Sequence, residues 1–401
     1  MLSVEEAQAL VMGEIAPGAV EEVPFTEANG RVLREDLVAT ADAPEGDNSA
    51  MDGYAVRAED VANAPVTMPV MGDIAAGHPS SSPLRAGAAM RIMTGALVPS
   101  GADAVVQVEL TDGGTSRVRI EKGVRVGANV RRRGEDMRAG DVVVREGTRI
   151  GAAEMAMFAA LQKTTVRVGA RPTVAILSTG DELIDVQETR RPGTIVNTNG
   201  PLLQSLVRET GAIPRPLGIV RDTREATIAA LESALASDFV ITSGGVSVGA
   251  YDFVKGALEA LGAETKFWRV AMKPGKPVVL SRARDRVVFG LPGNPVSCFV
   301  SFHLFVAPAL RKAMGVSGAL FPPTLRARLL APVRSAGDRR VYVRVALSAQ
   351  DGALVARPLA TQGSGSLTSM IGANGLAIMR ERVTSVAEGE SIDVVVLGAI
   401  G

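Results

Sequence analysis

Three short apolar runs rich in β-branched residues lie in the middle of the chain, at 173–177 (TVAIL), 238–242 (DFVIT) and 286–289 (RVVF). Runs of this kind bounded by turn residues predict buried strands. Each empties into small and polar residues. The first leads to Ser178-Thr179-Gly180-Asp181-Glu182-Leu183, the second to SGGVSVG (243–249), and the third to Gly290-Leu291-Pro292-Gly293-Asn294-Pro295. Beyond the second, Phe253, Ala257, Leu258 and Leu261 recur at helical spacing. Beyond the third, residues 296–310 have the length and apolar density of a buried helix, with Pro295 suited to its first turn. Strand, glycine-bearing loop and helix in succession predict a doubly wound α/β sheet. Its loops would converge at the carboxyl ends of parallel strands, where ligands bind.

The flanking patterns are different. Ser3-Val4-Glu5-Glu6 has the spacing of a capping box and predicts a helix to about Met12. Residues 27–39 turn at Asn29-Gly30 and then alternate, and 44–56 are rich in loop residues. Short β-like runs follow at 66–71, 88–92, 104–108, 117–120 and 141–144, separated by glycine turns, which predicts a small β domain. Residues 154–161 read as a helix, and Arg171-Pro172 marks the entry to the α/β module, which ends near Met314. Within it, Asn199 is placed to cap a helix over 201–210 that Gly211 would stop. After a linker at 317–323 the chain returns to short strands and turns. The fold class is therefore multidomain α/β plus β.

Composition narrows the functional classes. A length of 401 residues suits roughly two to four domains. Basic and acidic residues number 43 each, so no net charge favours nucleic acid or a membrane surface. One cysteine leaves no internal disulfide, and two histidines leave no Cys/His zinc site. There is no basic-then-apolar leader and no uncharged apolar run of about 18 residues, so a cytoplasmic setting is expected.

Candidate chemistry sits on the loops. Glycines let backbone N–H groups turn toward an anion, so Ser243, Gly244, Gly245, Ser247 and Gly249 suit a phosphate. Lys273-Pro274-Gly275-Lys276-Pro277 sets two ammonium groups in a proline-stiffened loop, as an oxyanion would require; a solvated basic turn is the plainer alternative. Arg131-Arg132-Arg133 offers guanidinium groups for phosphate, or is a surface charge run. Asp52, Asp136, Asp181, Glu182 and Asp252 all fall on loops. Carboxylates beside phosphate loops commonly hold Mg²⁺, although each alone reads as a turn residue. His303 and Cys298 share the apolar helix and read as core, so no nucleophilic triad is evident. Ser364, in QGSGS, could donate to an anion or simply belong to a loop.

Nine segments occur in order: GRVLREDLVA (30–39), DNSAMDGYAV (47–56), RIMTGALVPSGADAVV (91–106), NVRRRGEDMRAGD (129–141), STGDEL (178–183), TSGGVSVGAYD (242–252), MKPGKP (272–277), LPGNPVS (291–297) and QGSGSLTSM (362–370). With these the chain resembles, over nearly its whole length, the molybdopterin molybdenumtransferases, the MoeA family that includes the gephyrin E domain. Ala250 departs from the acidic residue relatives often carry there. The resemblance implies an elongated homodimer with four parts: a discontinuous linking domain (1–41 and 142–170), a small β domain (42–141), the α/β molybdopterin-binding domain (171–316) and a C-terminal β domain (317–401).

It also implies insertion of molybdenum from molybdate into the dithiolene of adenylylated molybdopterin, with Mg²⁺ and release of AMP. The thiolates then belong to the substrate, which fits the lack of ligand cysteines. Carried over by position, Lys273, Lys276, Arg344 and Ser364 resemble the molybdate set. Asp181, Glu182 and Asp252, with the 243–249 loop, resemble the substrate and Mg²⁺ site, which Ser178, Thr179, Gly180, Pro292 and Asn294 adjoin. Asp52, Thr94, Arg131 and Asp136 lie on the β domain, which in this family reaches the partner subunit's crevice. The resemblance also allows a transient contact with the molybdopterin adenylyltransferase. Two rival readings are that adenylylation step itself and a pterin- or peptide-binding scaffold without turnover.

Overall fold

In the computed structural model, which describes residues 1–246 and 253–401, the three apolar runs become adjacent parallel strands. Phe239–Ser243 lies between Thr173–Thr179 and Arg286–Leu291. Their residues are buried almost without a break, because a parallel sheet covered on both faces hides alternate side chains equally. Val174 and Ile176 enter one core with the helix Asn199–Thr210, whereas Ala175 and Leu177 enter another with Leu231, Val254 and Leu258. Ile213–Val220 forms one parallel edge. At the other edge Val279–Ala283 and Glu264–Phe267 run antiparallel, completing six strands. The chain leaves Thr173–Thr179 to one side for Ile213–Val220 and returns on the other for Phe239–Ser243, so the strand order reverses there.

The predicted long helix is one apolar stretch with an internal change of pitch: Pro295–Ser301, a π-helical segment Phe302–Val306, then Ala307–Ala313. By length and composition this stretch could cross a membrane, but 78% of its residues are buried inside the fold, and it is a core helix. The first helix runs Val4–Glu14, two residues longer than expected. Its capping box is formed: the Glu6 N–H donates to Ser3 Oγ at 3.1 Å and the Ser3 N–H to the Glu6 carboxylate at 2.7 Å. Val4, Ala7 and Val11 join the same core as the long helix.

Two compact units divide the chain. One comprises residues 1–35, 146–155 and 164–401; the other comprises 36–145 and 156–163. The first unit also contains a C-terminal sheet. Arg340–Gln350, Ala353–Pro358, Thr324–Leu329, Ser391–Val396 and Gly375–Met379 pair in that order, and the last returns to the first, closing around Leu329, Val345 and Val394. A two-residue strand, Met272–Lys273, leaves the α/β module and pairs with Arg340–Gln350. Tyr342, Leu376 and Val395 of this sheet reach into the core around the long helix. The second unit holds a five-stranded sheet in the order Ala104–Gln107, Gly53–Val56, Ala89–Ile92, Val66–Ile74, Arg117–Ile120; four of these match short runs read from the sequence, whereas Gly53–Val56 falls in the stretch read as loop-rich and the run at 141–144 pairs instead with Leu37–Val38.

Candidate active site

A cleft of about 690 Å³ opens where the three parallel strands end, and all three predicted loops line it: Ser178, Thr179 and Gly180 from the first, Ser243, Gly244 and Gly245 from the second, Pro292, Gly293 and Asn294 from the third. Gly244 (φ +93°) and Gly245 (φ +62°) are left-handed in succession. A Cβ at Gly244 would lie 2.7 Å from the Thr179 carbonyl oxygen, and one at Gly245 would lie 2.6 Å from Val254 Cγ2. Only glycine fits both the backbone and the space. Ser247, Gly249 and Asp252, also expected in this site, lie outside the described residues.

Beneath the glycine turn runs a polar network. Asn199 Nδ2 donates to Ser243 Oγ at 2.6 Å and to the Gly293 carbonyl at 2.7 Å, tying the second loop to the third. Nearby, burial pushes the Cys298 thiol up to about 12, with Ser243 offsetting this in part. Cys298 is thus an inert core group. Asn199 was expected as a helix cap. Instead the helix begins at Asn199 itself after Thr198, and the Asn199 side chain serves the cleft. Asn197 Oδ1 accepts from Ser178 Oγ (3.1 Å) and the Gly200 N–H (3.0 Å), fixing the first loop in the same way.

The lip of the cleft is acidic. Glu182 and Asp222 line it, and Asp181 Oδ1 accepts the Asp222 N–H at 3.2 Å. Burial raises the Asp222 carboxyl above the ordinary range, and the charges of Asp181 and Glu182 push it the same way. Asp222 escaped the sequence reading because its strand, Ile213–Val220, carries two prolines. Among the described residues no group of three or more His, Cys, Asp or Glu side chains could hold a metal ion. Mutually repelling carboxylates beside a phosphate loop nonetheless match Mg²⁺, which takes one or two carboxylates together with substrate oxygens.

A second cavity, of about 680 Å³, contains Lys273, Pro274, Gly275 and Lys276 on one side and the C-terminal sheet on the other. The loop lies between two strands of the α/β sheet, Glu264–Phe267 and Val279–Ala283, and pairing of Met272–Lys273 with Arg340–Gln350 turns it toward the C-terminal sheet. Arg334 and Arg339, unassigned by sequence, also line the cavity, Arg339 paired with Asp338 at 3.1 Å, and among the described residues no carboxylate lines it. Both lysine side chains are exposed.

Ser364 lines this cavity and accepts from Asn294 Nδ2 at 3.1 Å, while its carbonyl accepts the Val296 N–H at 3.1 Å. Asn294 belongs to the first cleft, as do Pro277 and Gly365. The two cavities therefore share a wall made of 276–277, 294–297 and 363–365. Arg344 lies behind that wall, 1% exposed. Its Nε donates to Ser369 Oγ at 2.9 Å and its Nη2 to the Thr361 and Gly363 carbonyls at 3.1 and 3.3 Å, so it braces the loop that carries Ser364.

In the second unit the Asp52 carboxylate accepts the Thr94 N–H at 2.7 Å and hydroxyl at 2.8 Å, bonds that keep its carboxyl below the ordinary range. Of the three arginines, Arg132 pairs with Asp47 at 2.5 Å and Arg133 with Asp42 at 2.6 Å. Arg131 and Asp136 are exposed, and neither is in an ion pair among the described residues. Asp52 and Thr94 are brought together; Arg131 and Asp136 are not joined to them by any hydrogen bond.

Comparison with known proteins covers almost the whole chain. Family models described as "MoeA N-terminal region (domain I and II)", "Probable molybdopterin binding domain" and "MoeA C-terminal region (domain IV)" match residues 2–161, 175–312 and 326–397. The chain is 39% identical over 381 residues to a molybdopterin molybdenumtransferase of Nostoc sp., covering 93% of this chain and 87% of that one. It is 39% identical over 404 residues to the molybdopterin molybdenumtransferase 2 of Mycobacterium tuberculosis, covering 98% and 99%. The crystal structure of the molybdopterin biosynthesis moeA protein from Pyrococcus horikoshii OT3 matches with a TM-score of 0.85 at 31% identity, covering 99% of this chain and 100% of that one.

Proposed function

Because the chain belongs to the molybdopterin molybdenumtransferase (MoeA) family, we propose that its two joined cavities insert molybdenum from molybdate into the dithiolene of adenylylated molybdopterin, with release of AMP. Its place is molybdenum cofactor biosynthesis, as a transferase. One observation carries the mechanism: a cleft lined by glycine turns and a cavity of similar size whose charged lining residues are basic share one wall.

The substrate's phosphates lie beside the turn at Gly245 and the Ser178 and Thr179 loop, while the Gly244 N–H is held by the Leu291 carbonyl at 3.0 Å and keeps the turn in place. Molybdate lies among Lys273, Lys276 and Ser364, with Arg334 and Arg339 adding to the positive field. Arg344 keeps the Ser364 loop in place. The dithiolene then sits at the shared wall near Asn294, so one side of the substrate is anchored while its sulfurs meet the metal oxyanion. This arrangement accelerates transfer by positioning and fixed charge, with no covalent enzyme intermediate. Asp181, Glu182 and Asp222, with Asp252, are the residues that would hold Mg²⁺, and the ion would neutralise phosphoanhydride charge. Asp52, Thr94, Arg131 and Asp136 are proposed as further substrate-binding residues. The four-part division, homodimerisation, a cytoplasmic location and a transient contact with the adenylyltransferase complete the reading.

A single-turnover experiment with adenylylated molybdopterin, molybdate and Mg²⁺ tests it. AMP should appear only when molybdate is present. Tight substrate binding with no AMP under any condition would instead identify a scaffold, and consumption of ATP with metal-free pterin would identify the adenylylation step.

A further inference from the structure

We infer that Arg190 is a specificity-determining residue of the cleft, its guanidinium binding the phosphoanhydride of the substrate and so selecting phosphorylated over unphosphorylated ligands. The inference rests on the proposed use of the cleft but not on transfer itself. Of the described residues that line the cleft, Arg190 alone is cationic, against the carboxylates of Glu182 and Asp222. A phosphate beside carboxylates meets like charge, and a guanidinium in the same wall offsets it. A second arginine nearby, Arg221, is already engaged: its Nη1 donates to the Asp181 carbonyl at 3.2 Å and lies 4.0 Å from the Asp181 carboxylate. Arg190 is exposed and forms no ion pair among the described residues. Its N–H fork therefore remains for a ligand, and it fits two phosphate oxygens at once.

The local fold keeps this arginine at the cleft. Leu183–Ile184 and Ile195–Val196 pair in parallel as a small flap. The Ile195 N–H donates to the Glu182 carbonyl at 2.8 Å and the Asn197 N–H to the Ile184 carbonyl at 2.9 Å, which anchors the flap to the first loop. Between its strands lie two turns, each closed by its own side chain. In one the Asp185 N–H donates to the Glu188 carboxylate at 2.9 Å. In the other Thr194 Oγ1 accepts the Arg191 N–H at 2.9 Å and donates to the Arg191 carbonyl at 2.8 Å. Arg190 sits between the two turns, and Thr194, Ile195 and Val196 line the cleft with it. Arg191, the next residue, is also exposed and in no ion pair among the described residues, yet it does not line the cleft. The two arginines carry the same charge in the same loop, and only one is placed to touch the ligand.

The test is calorimetry on the full chain at fixed Mg²⁺, with ADP, AMP and adenosine as probes. ADP carries a phosphoanhydride, AMP one phosphate and adenosine none. Unaltered protein should bind ADP about 10- to 100-fold more tightly than adenosine. Arg190→Gln should cut that preference about tenfold and leave adenosine affinity within about twofold. Arg190→Lys, which keeps the charge without the fork, should retain part of it, and Arg191→Gln should retain all of it. A loss shared by AMP and ADP places Arg190 on the nucleotide phosphate; a loss with ADP alone places it on the phosphate beyond. The inference is overturned by no preference for ADP in the unaltered protein, by a preference that survives Arg190→Gln, by an equal fall for adenosine, or by the same loss in Arg191→Gln. Arg190 is exposed and unpaired among the described residues, so its variants should fold as the parent does. AMP release from the adenylylated substrate is not measured. A chain that needs Arg190 to prefer ADP yet releases no AMP would sink the transferase reading and leave this inference standing.

Discussion

The two cavities are nearly equal in volume, about 690 and 680 Å³, and opposite in how they meet charge. The first is built by the loops of one sheet, from left-handed glycines and buried hydroxyls and amides, with carboxylates at its lip. The second is built between two sheets, from the side chains of Lys273, Lys276, Arg334 and Arg339. A backbone nest suits an anion whose charge is spread along a chain and shared with a cation. Ammonium and guanidinium groups suit a compact oxyanion that brings no cation of its own. The contrast supports the proposed placing of each half of the substrate pair.

The largest effect is expected from the lysines. Lys276→Ala and Lys273→Ala should each lower molybdate-dependent AMP release by about 10²–10³-fold. The KM for molybdate should rise while the affinity for pterin nucleotide stays within about threefold. Equal losses toward both ligands would break the division between the cavities. Next comes Arg344→Leu. It removes the donors to the exposed Thr361 and Gly363 carbonyls and to the Ser369 hydroxyl, which keeps its own bond to the Ser366 carbonyl, and urea unfolding should show a loss of about 1–2 kcal/mol. Molybdate binding should fall further than pterin-nucleotide binding, since the loop Arg344 braces carries Ser364. An Arg344→Lys variant that restores stability without restoring molybdate affinity would show that the guanidinium also meets the anion directly.

Gly244→Ala probes the other cavity. At φ +93° and 2.7 Å from the Thr179 carbonyl, a methyl group cannot be accommodated without shifting the turn. Strain of roughly 1–2 kcal/mol should weaken pterin-nucleotide binding about tenfold and leave molybdate binding unchanged. Loss of molybdate binding in this variant would mean that the shared wall moves as one piece, and the cavities could not then be treated separately.

The same contrast explains what the sequence could disclose. The three parallel strands were legible because central strands buried on both faces must be continuous apolar runs, and their loops named the cleft. The edge strand Ile213–Val220 was hidden by Pro214 and Pro216, which it tolerates because it pairs on one side only, with Thr173–Thr179. Asp222 was hidden with it. The hairpin joining Val279–Ala283 to Arg286–Leu291 turns at Arg284 and Asp285, both at positive φ, with none of the glycine or asparagine that usually announces such a turn. Lys273 and Lys276 were legible as a pair, but not Arg334 and Arg339, because only the pairing of Met272–Lys273 with a strand nearly seventy residues later brings them together. Asn199 looked like a cap, since a sequence gives the residue type but not which partner its amide finds.

The smallest effect should be one that both cavities escape alike. His303 lies in the π-helical segment of the long helix, edge-on to Phe299 with ring centroids 4.5 Å apart, and its Nε2 is buried without a partner. Burial, with a lesser push from the Arg311 charge, lowers its pKa from 6.5 to about 4. The unfolded chain therefore takes up a proton at this position before the folded one does. Stability is full above pH 6.5 and falls as the pH drops toward 4. Between pH 7 and pH 6 the loss is about 0.7 kcal/mol, or roughly 1–2 °C in melting temperature. His303→Leu should remove that part of the pH dependence. Because the folded protein keeps this imidazole neutral between pH 7 and pH 6, His303 should leave pterin-nucleotide and molybdate binding alike unchanged over that range, and only stability should report it. The ratio of the two affinities should stay constant, and a ratio that drifts with pH only when His303 is present would place that histidine's influence on one cavity alone.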